Sequence, residues 1–152
     1  MPAHTLNDVL SRTRAFHCEL SENMNKGANN TESTRAQLLL DYLQGHEERL
    51  ARTLKTFQET ADRKQLDTWF YEFTQKHNVI QTGEHHKPFS EMTSTEIMDE
   101  VMNEHEQVIQ LYQYLYGRAG TSPAHELLRE LIDLEQHEAM RLSQAGNRAE
   151  DM

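Results

Sequence analysis

Cysteine occurs once in the 152 residues, at Cys18, so no disulfide can form within the chain. A reducing compartment, the cytoplasm, is the expected setting, and a bridge between two chains is the one disulfide the composition leaves open. Long apolar runs are missing as well. No stretch approaches the roughly 18 consecutive apolar residues of a membrane span, and the opening "MPAHTLNDVLSRTRAF" lacks the apolar centre of a secretory signal. Neither export nor membrane insertion is expected. Basic residues are in deficit, 15 Lys and Arg against 25 Asp and Glu, for a formal net charge of −10. That balance repels phosphate backbones and anionic membrane surfaces, so neither nucleic acid nor a membrane is an expected partner. The alternating apolar pattern of strands, a fixed-period repeat and low-complexity tracts are all absent. The length suits one domain, 1–152, with enough chain for a sizeable core.

What the chain does contain is apolar residues at helical spacing. Thr5, three residues before Asp8, opens a first helix whose stripe runs Leu6, Leu10, Thr13, His17, Leu20 and Met24. "NKGANNTES" reads as a loop, and a second helix starts near Thr31 or Ser33 and carries Leu39, Leu43, His46, Leu50, Leu54 and Phe57 along one side. From about Thr60 to Met92 the only strong apolar pattern is "LDTWFYEF", read as one short helix inside a connection. Thr93 and Glu96 then form a capping box for a third helix, with Val101, Val108, Leu111, Tyr112 and Leu115 on its inner face. Ser122 as N-cap and Pro123 at the first helical position start a fourth, which carries Leu128, Leu131, Glu135, Glu138 and Leu142 and ends near Gly146. Short loops flank a connection of about 30 residues, which predicts two antiparallel hairpins joined by a long crossover.

Ionisable groups interrupt all four stripes near their middles: His17, His46, Glu104 with His105, and Glu135 with Glu138. Burying such groups without partners costs several kcal/mol. They must pair, hydrogen-bond, or coordinate a cation. Imidazole nitrogen mixed with carboxylate oxygen suits iron, manganese or zinc. Reflecting the third helix onto the fourth about a loop centred near Ala119 and Gly120 sets Glu104 opposite Glu135. Reflecting the first onto the second about Asn29 sets His17 opposite Leu40 to Tyr42, about one turn (~5 Å) from His46. Only a differently centred loop closes that gap.

The stripe-and-crossover pattern resembles the ferritin-like superfamily, and in particular rubrerythrin-type four-helix bundles, over nearly the whole chain. In that family a carboxylate on the first helix, Glu-x-x-His on the second, a carboxylate on the third and Glu-x-x-His or Glu-x-x-Glu on the fourth hold two iron or manganese ions. Glu104, and Glu135 with Glu138 in "ELIDLEQHEAMRL", match the second half. His17 stands where a Glu is expected, and Leu43 stands three residues before His46, so the second helix lacks its bridging carboxylate unless Glu47, on the flank of the stripe, substitutes. The resemblance implies an all-α ferritin-like bundle with metal ligands among His17, His46, Glu104, His105, Glu135 and Glu138. The departures point away from oxygen-activating di-iron chemistry, toward a mononuclear site or a lapsed one.

Two alternatives stay open: a bundle of unassigned role that binds iron, manganese or zinc, and a metal-free structural or interaction bundle whose inner polar groups bond to one another, or to Arg12 or Arg14. Cys18 beside His17 lacks a third, orienting group for nucleophilic catalysis and reads as a small residue at the core edge. No set of catalytic residues is assigned. "EHHKPF" reads as a solvated loop rather than a metal clip. The aromatic run Trp69, Phe70, Tyr71 and Phe73 is expected to cover the bundle or a partner subunit, which makes a homodimer the expected assembly.

Overall fold

Thr5 starts the first helix by the expected exchange. Its hydroxyl accepts from the Asp8 N–H at 3.1 Å, and the Asp8 carboxylate accepts from the Thr5 N–H at 3.0 Å. The structure, a computed structural model, describes residues 4–70, 87–119 and 123–150. Helix α1 (Leu6–Asn30) leads to α2 (Thr34–Thr60), where the Ser33 hydroxyl accepts from the Ala36 N–H. A single turn, α3 (Arg63–Leu66), follows, capped reciprocally by Asp62 and Gln65. Thr93 and Glu96 form the expected box ahead of α4 (Ser94–Ala119), and Pro123 opens α5 (Pro123–Glu150). The expected cap Ser122 lies outside the described residues. The fold is all-α, apart from a two-residue antiparallel pairing of β1 (His4–Thr5) with β2 (Trp69–Phe70).

The predicted stripes are the buried ones. Leu6, Leu10 and Leu20 of α1, Leu39, Leu43 and Leu54 of α2, Val101, Val108 and Leu111 of α4, and Leu128, Leu131 and Leu142 of α5 share one apolar core. Helices α1 and α2 pack as one hairpin and α4 and α5 as the other. The crossover must join opposite ends of the bundle. Near the end of α2, Gln58 bonds Asn7 at the start of α1, whereas Phe89, just before α4, packs on Gly27 at the far end of α1. A 27-residue helix spans about 40 Å, so a short loop could not make that connection. Among the described residues, no helix is long and apolar enough to cross a membrane.

Three local expectations are corrected. The loop "NKGANNTES" is mostly helix, because α1 continues to Asn30 and leaves only Thr31 to Ser33 between the helices. Gly27 and Ala28 are buried, and a Cβ on Gly27 would lie 2.7 Å from the Phe89 Cβ. Packing from the distant segment outweighs the weak helix propensity of Gly and Asn there. Helix α5 likewise runs past Gly146, which sits against Met98 with no room for a Cβ. The short crossover helix is Arg63–Leu66, and Trp69–Phe70 is extended and paired with the N-terminus. Here the Asp62 box starts the turn earlier than the apolar spacing suggests, and the Asp67 cap ends it. Phe70 is buried while Trp69 is 56% exposed. Tyr71, Phe73 and the first three residues of "EHHKPF" lie outside the described residues.

Candidate metal centre

The α1–α2 connection is centred on Glu32, three residues beyond the position expected from sequence. Reflection about it carries His17, fifteen residues before, onto Glu47, fifteen residues after. Glu47 follows Leu43 by four residues and precedes Leu50 and Leu54 by three and seven, so the packing of that stripe drives its carboxylate into the bundle. His17 follows Thr13 by four on α1, His105 follows Val101 by four on α4, and Glu135 follows Leu131 by four on α5. Each helix therefore sends one polar side chain to the same level. His17, Glu47, His105 and Glu135 are all fully buried.

Glu47 is the hub. Its Oε1 lies 2.6 Å from His17 Nδ1 and its Oε2 2.6 Å from His105 Nε2. The other ring nitrogen of His17, Nε2, lies 2.9 Å from Glu135 Oε1. A carboxylate only accepts, so a histidine held between two of them donates from both nitrogens and is an imidazolium. Burial alone would lower the His17 pKa, but the charges of Glu135 and Glu47 and the bonds to them outweigh it and push the pKa up to about 10. For Glu47 burial works upward, and the His105 and His17 charges overcome it and bring the carboxyl down to about 2. Burial likewise opposes the protonation of His105, and the Glu47 charge raises its pKa in spite of that. Glu104 is a contrast. Desolvation first, then the charges of Glu100 and Glu47, raise it to about 8, so it is largely protonated near neutral pH.

Three buried polar atoms around this group have no hydrogen-bond partner among the described residues: Glu104 Oε2, Glu135 Oε2 and His105 Nδ1. Natural interiors leave few such atoms, and each calls for an explanation. One ligand atom from each of His17, Glu47 and His105 can be chosen so that all lie within 4.8 Å of one another. Two ligands on one ion at bond lengths near 2.0–2.2 Å stand about 3–4.4 Å apart, so an ion here would replace the 2.6 Å hydrogen bonds of Glu47, which must open by a few tenths of an ångström or more to admit it. Tyr112 closes the apolar side. Its buried hydroxyl donates to Thr13 Oγ1 at 2.8 Å, one turn from His17. Burial, with the Glu135 charge, raises its pKa well above 10.

Of the six residues singled out from sequence, the structure links His17 and His105 through Glu47, joins Glu135 to them through His17, and buries Glu104 within reach of their charges. His46 and Glu138 form a pair of their own at 3.0 Å, nearer the surface. A helical step of about 100° per residue separates His46 from the inward-facing Glu47. Glu47, placed on the flank of the stripe by sequence, is at its centre, and the Leu43, Leu50 and Leu54 spacing was the signal for it. The polar partner of Glu135 is His17. Arg14, offered as a cation for these carboxylates, instead donates to Gln58 at 2.9 Å. Cys18 is exposed rather than at the core edge, since it lies one helical step from the inward His17.

No protein-family profile and no curated protein matches the chain. Among solved structures it is similar to a protein of Thermotoga maritima described as a ferritin-like diiron-carboxylate protein, with a TM-score of 0.59 over 97% of each chain at 15% identity. The fold is therefore ferritin-like. At that identity the likeness is one of architecture.

Proposed function

We propose that this ferritin-like bundle holds one divalent transition-metal ion, iron, manganese or zinc, at the level of Glu47. The observation that carries the proposal is a buried nitrogen-and-oxygen donor set, His17, Glu47 and His105, surrounded by the orphaned Glu104 Oε2 and Glu135 Oε2. The similar Thermotoga maritima protein, described as diiron-carboxylate, adds support for iron. In this chain the donors fit one ion better than two, because His46 and Glu138 are engaged with each other and histidines stand where a bridging pair needs carboxylates. His17 and His105 would supply imidazole nitrogens and Glu47 an oxygen, Glu135 would hold the opposite ring nitrogen of His17, and Glu104 would lose its proton to neutralise the added charge. Binding requires His17 to release a proton from the nitrogen that turns to the metal. A bound ion supplies Lewis acidity, and iron or manganese also supplies one-electron chemistry. The apolar stripes and Tyr112 exclude water around it.

A second reading rests on a specific observation: both ring nitrogens of His17 already have carboxylate partners. The imidazolium then takes the place of a metal cation in a structural network held by its own charges. Elemental analysis of untagged protein, purified without added metal and again after incubation with iron, manganese and zinc, separates the two. The metal reading expects about one ion per chain, lost in Glu47→Ala and kept in Glu106→Ala on the exposed face. Absence of metal under all those conditions would sink it. The structural reading expects instead that replacing His17 and Glu135 together by Leu leaves stability unchanged or improved, because apolar packing often matches a buried polar network.

A further inference from the structure

Away from the buried cluster, α2 and α5 border a surface cavity of about 340 Å³ rimmed by Tyr42, His46, Arg49, Arg141 and Gln144. Each of these five side chains can donate a hydrogen bond, and no carboxylate lines the cavity. The Arg49 guanidinium has no partner among the described residues, and the contact of Arg141 with Glu138 is long, 3.9 Å. His46 gives Nδ1 to Glu138 and keeps Nε2 without a partner among the described residues. The Tyr42 ring packs edge-on against His46 at 4.6 Å, which fixes the imidazole from the outside. A chain with 25 acidic side chains has ample means to neutralise two guanidiniums on one rim. Here Arg49 faces solvent, and Arg141 has only the long contact with Glu138.

We propose that this cavity binds a small oxyanion, a phosphate or carboxylate group clasped between Arg49 of α2 and Arg141 of α5. The planar guanidinium fork matches two oxygens of such a group at once, and two forks from different helices fix its orientation. The cavity is larger than one inorganic anion needs and falls in the range of small-molecule sites, so the acid group can belong to a small metabolite. None of His17, Glu47 or His105 lines it, so this site stands independently of the metal reading.

Isothermal titration of the full chain at constant ionic strength tests the proposal, with inorganic phosphate, succinate and chloride in separate runs. Saturable one-site binding of phosphate or succinate is expected, and the tighter of the two assigns the group as phosphoryl or carboxyl. Arg49→Gln and Arg141→Gln should each weaken binding about tenfold or more, the scale of one charge-assisted bond. Arg52→Gln, exposed one turn further along α2 and outside the cavity, should leave it unchanged. Circular dichroism confirms that the variants fold. Binding of neither oxyanion, equal binding of chloride, or binding that survives the double variant would each overturn the assignment.

Discussion

Glu47 and His17 are a buried couple whose charges sustain each other, and the sign of their pH dependence follows from the two shifts. The His17 pKa is raised from 6.5 to about 10, so its contribution is complete below pH 6.5 and is lost as pH climbs toward 10. The Glu47 pKa is lowered from 4.5 to about 2, so its contribution is complete above pH 4.5 and is lost as pH falls toward 2. The Glu104 carboxyl, raised from 4.5 to about 8 by burial, adds a loss of stability as pH climbs from 4.5 toward 8, so metal-free protein should be most stable near pH 4.5, with a melting temperature that falls on the alkaline side. Zinc affinity should move the other way there, since the metal competes with the proton on His17. Thermal melts after chelator treatment, with and without zinc, check both slopes. A flat melting temperature between pH 6.5 and 10 would remove the ion-paired His17 from the account.

Within the helices, two glycines with the same intrinsic cost have opposite expected effects. Gly45 lies inside α2 with nothing within 4 Å of the position a Cβ would take, so Gly45→Ala should stabilise by about 0.5–1 kcal/mol. Gly27 meets the Phe89 Cβ at 2.7 Å, so Gly27→Ala should destabilise by about 1–3 kcal/mol. Urea unfolding of the two variants gives the comparison, and equal effects would mean that Phe89 does not pack there. The same contact explains what sequence could and could not reveal. The stripes were legible because burial imposes the helical period on each segment separately, and His17, His105 and Glu135 were found on them. The turn between α1 and α2 was not, because Gly27 and Ala28 are held helical by Phe89, some sixty residues further along. That displacement of three residues moved the partner of His17 from the Leu40–Tyr42 region to Glu47. The error in the loop was the error in the site.

At the scale of the whole chain, apolar surface remains uncovered. Leu38 and Tyr42 lie one turn apart on α2, Met140 is exposed on α5, and Trp69 projects from the strand beside the N-terminus. A homodimer that covers part of this surface is the expected state, and Trp69→Ala should weaken it if β2 lies at the contact. Light scattering at tens of micromolar protein decides the matter, and a monomer at those concentrations would rule the dimer out. The net charge of −10 favours association at higher salt, where repulsion between two like-charged copies is screened.

The crossover connects opposite ends of the bundle, and this divides the buried network in time as well as in space. His17–Glu47 is closed within the first hairpin, thirty residues apart, but Glu47–His105 and His17–Glu135 span 58 and 118 residues and exist only once the two hairpins have docked. Closing distant contacts costs more chain entropy than closing local ones, so the cross-hairpin bonds are expected on the native side of the folding barrier. Glu135→Gln should accelerate unfolding in stopped-flow experiments while leaving the refolding rate nearly unchanged. On that order the four-residue cluster is completed last, and a metal ion bound there would act as a latch on an assembly already made, slowing its opening without guiding its formation.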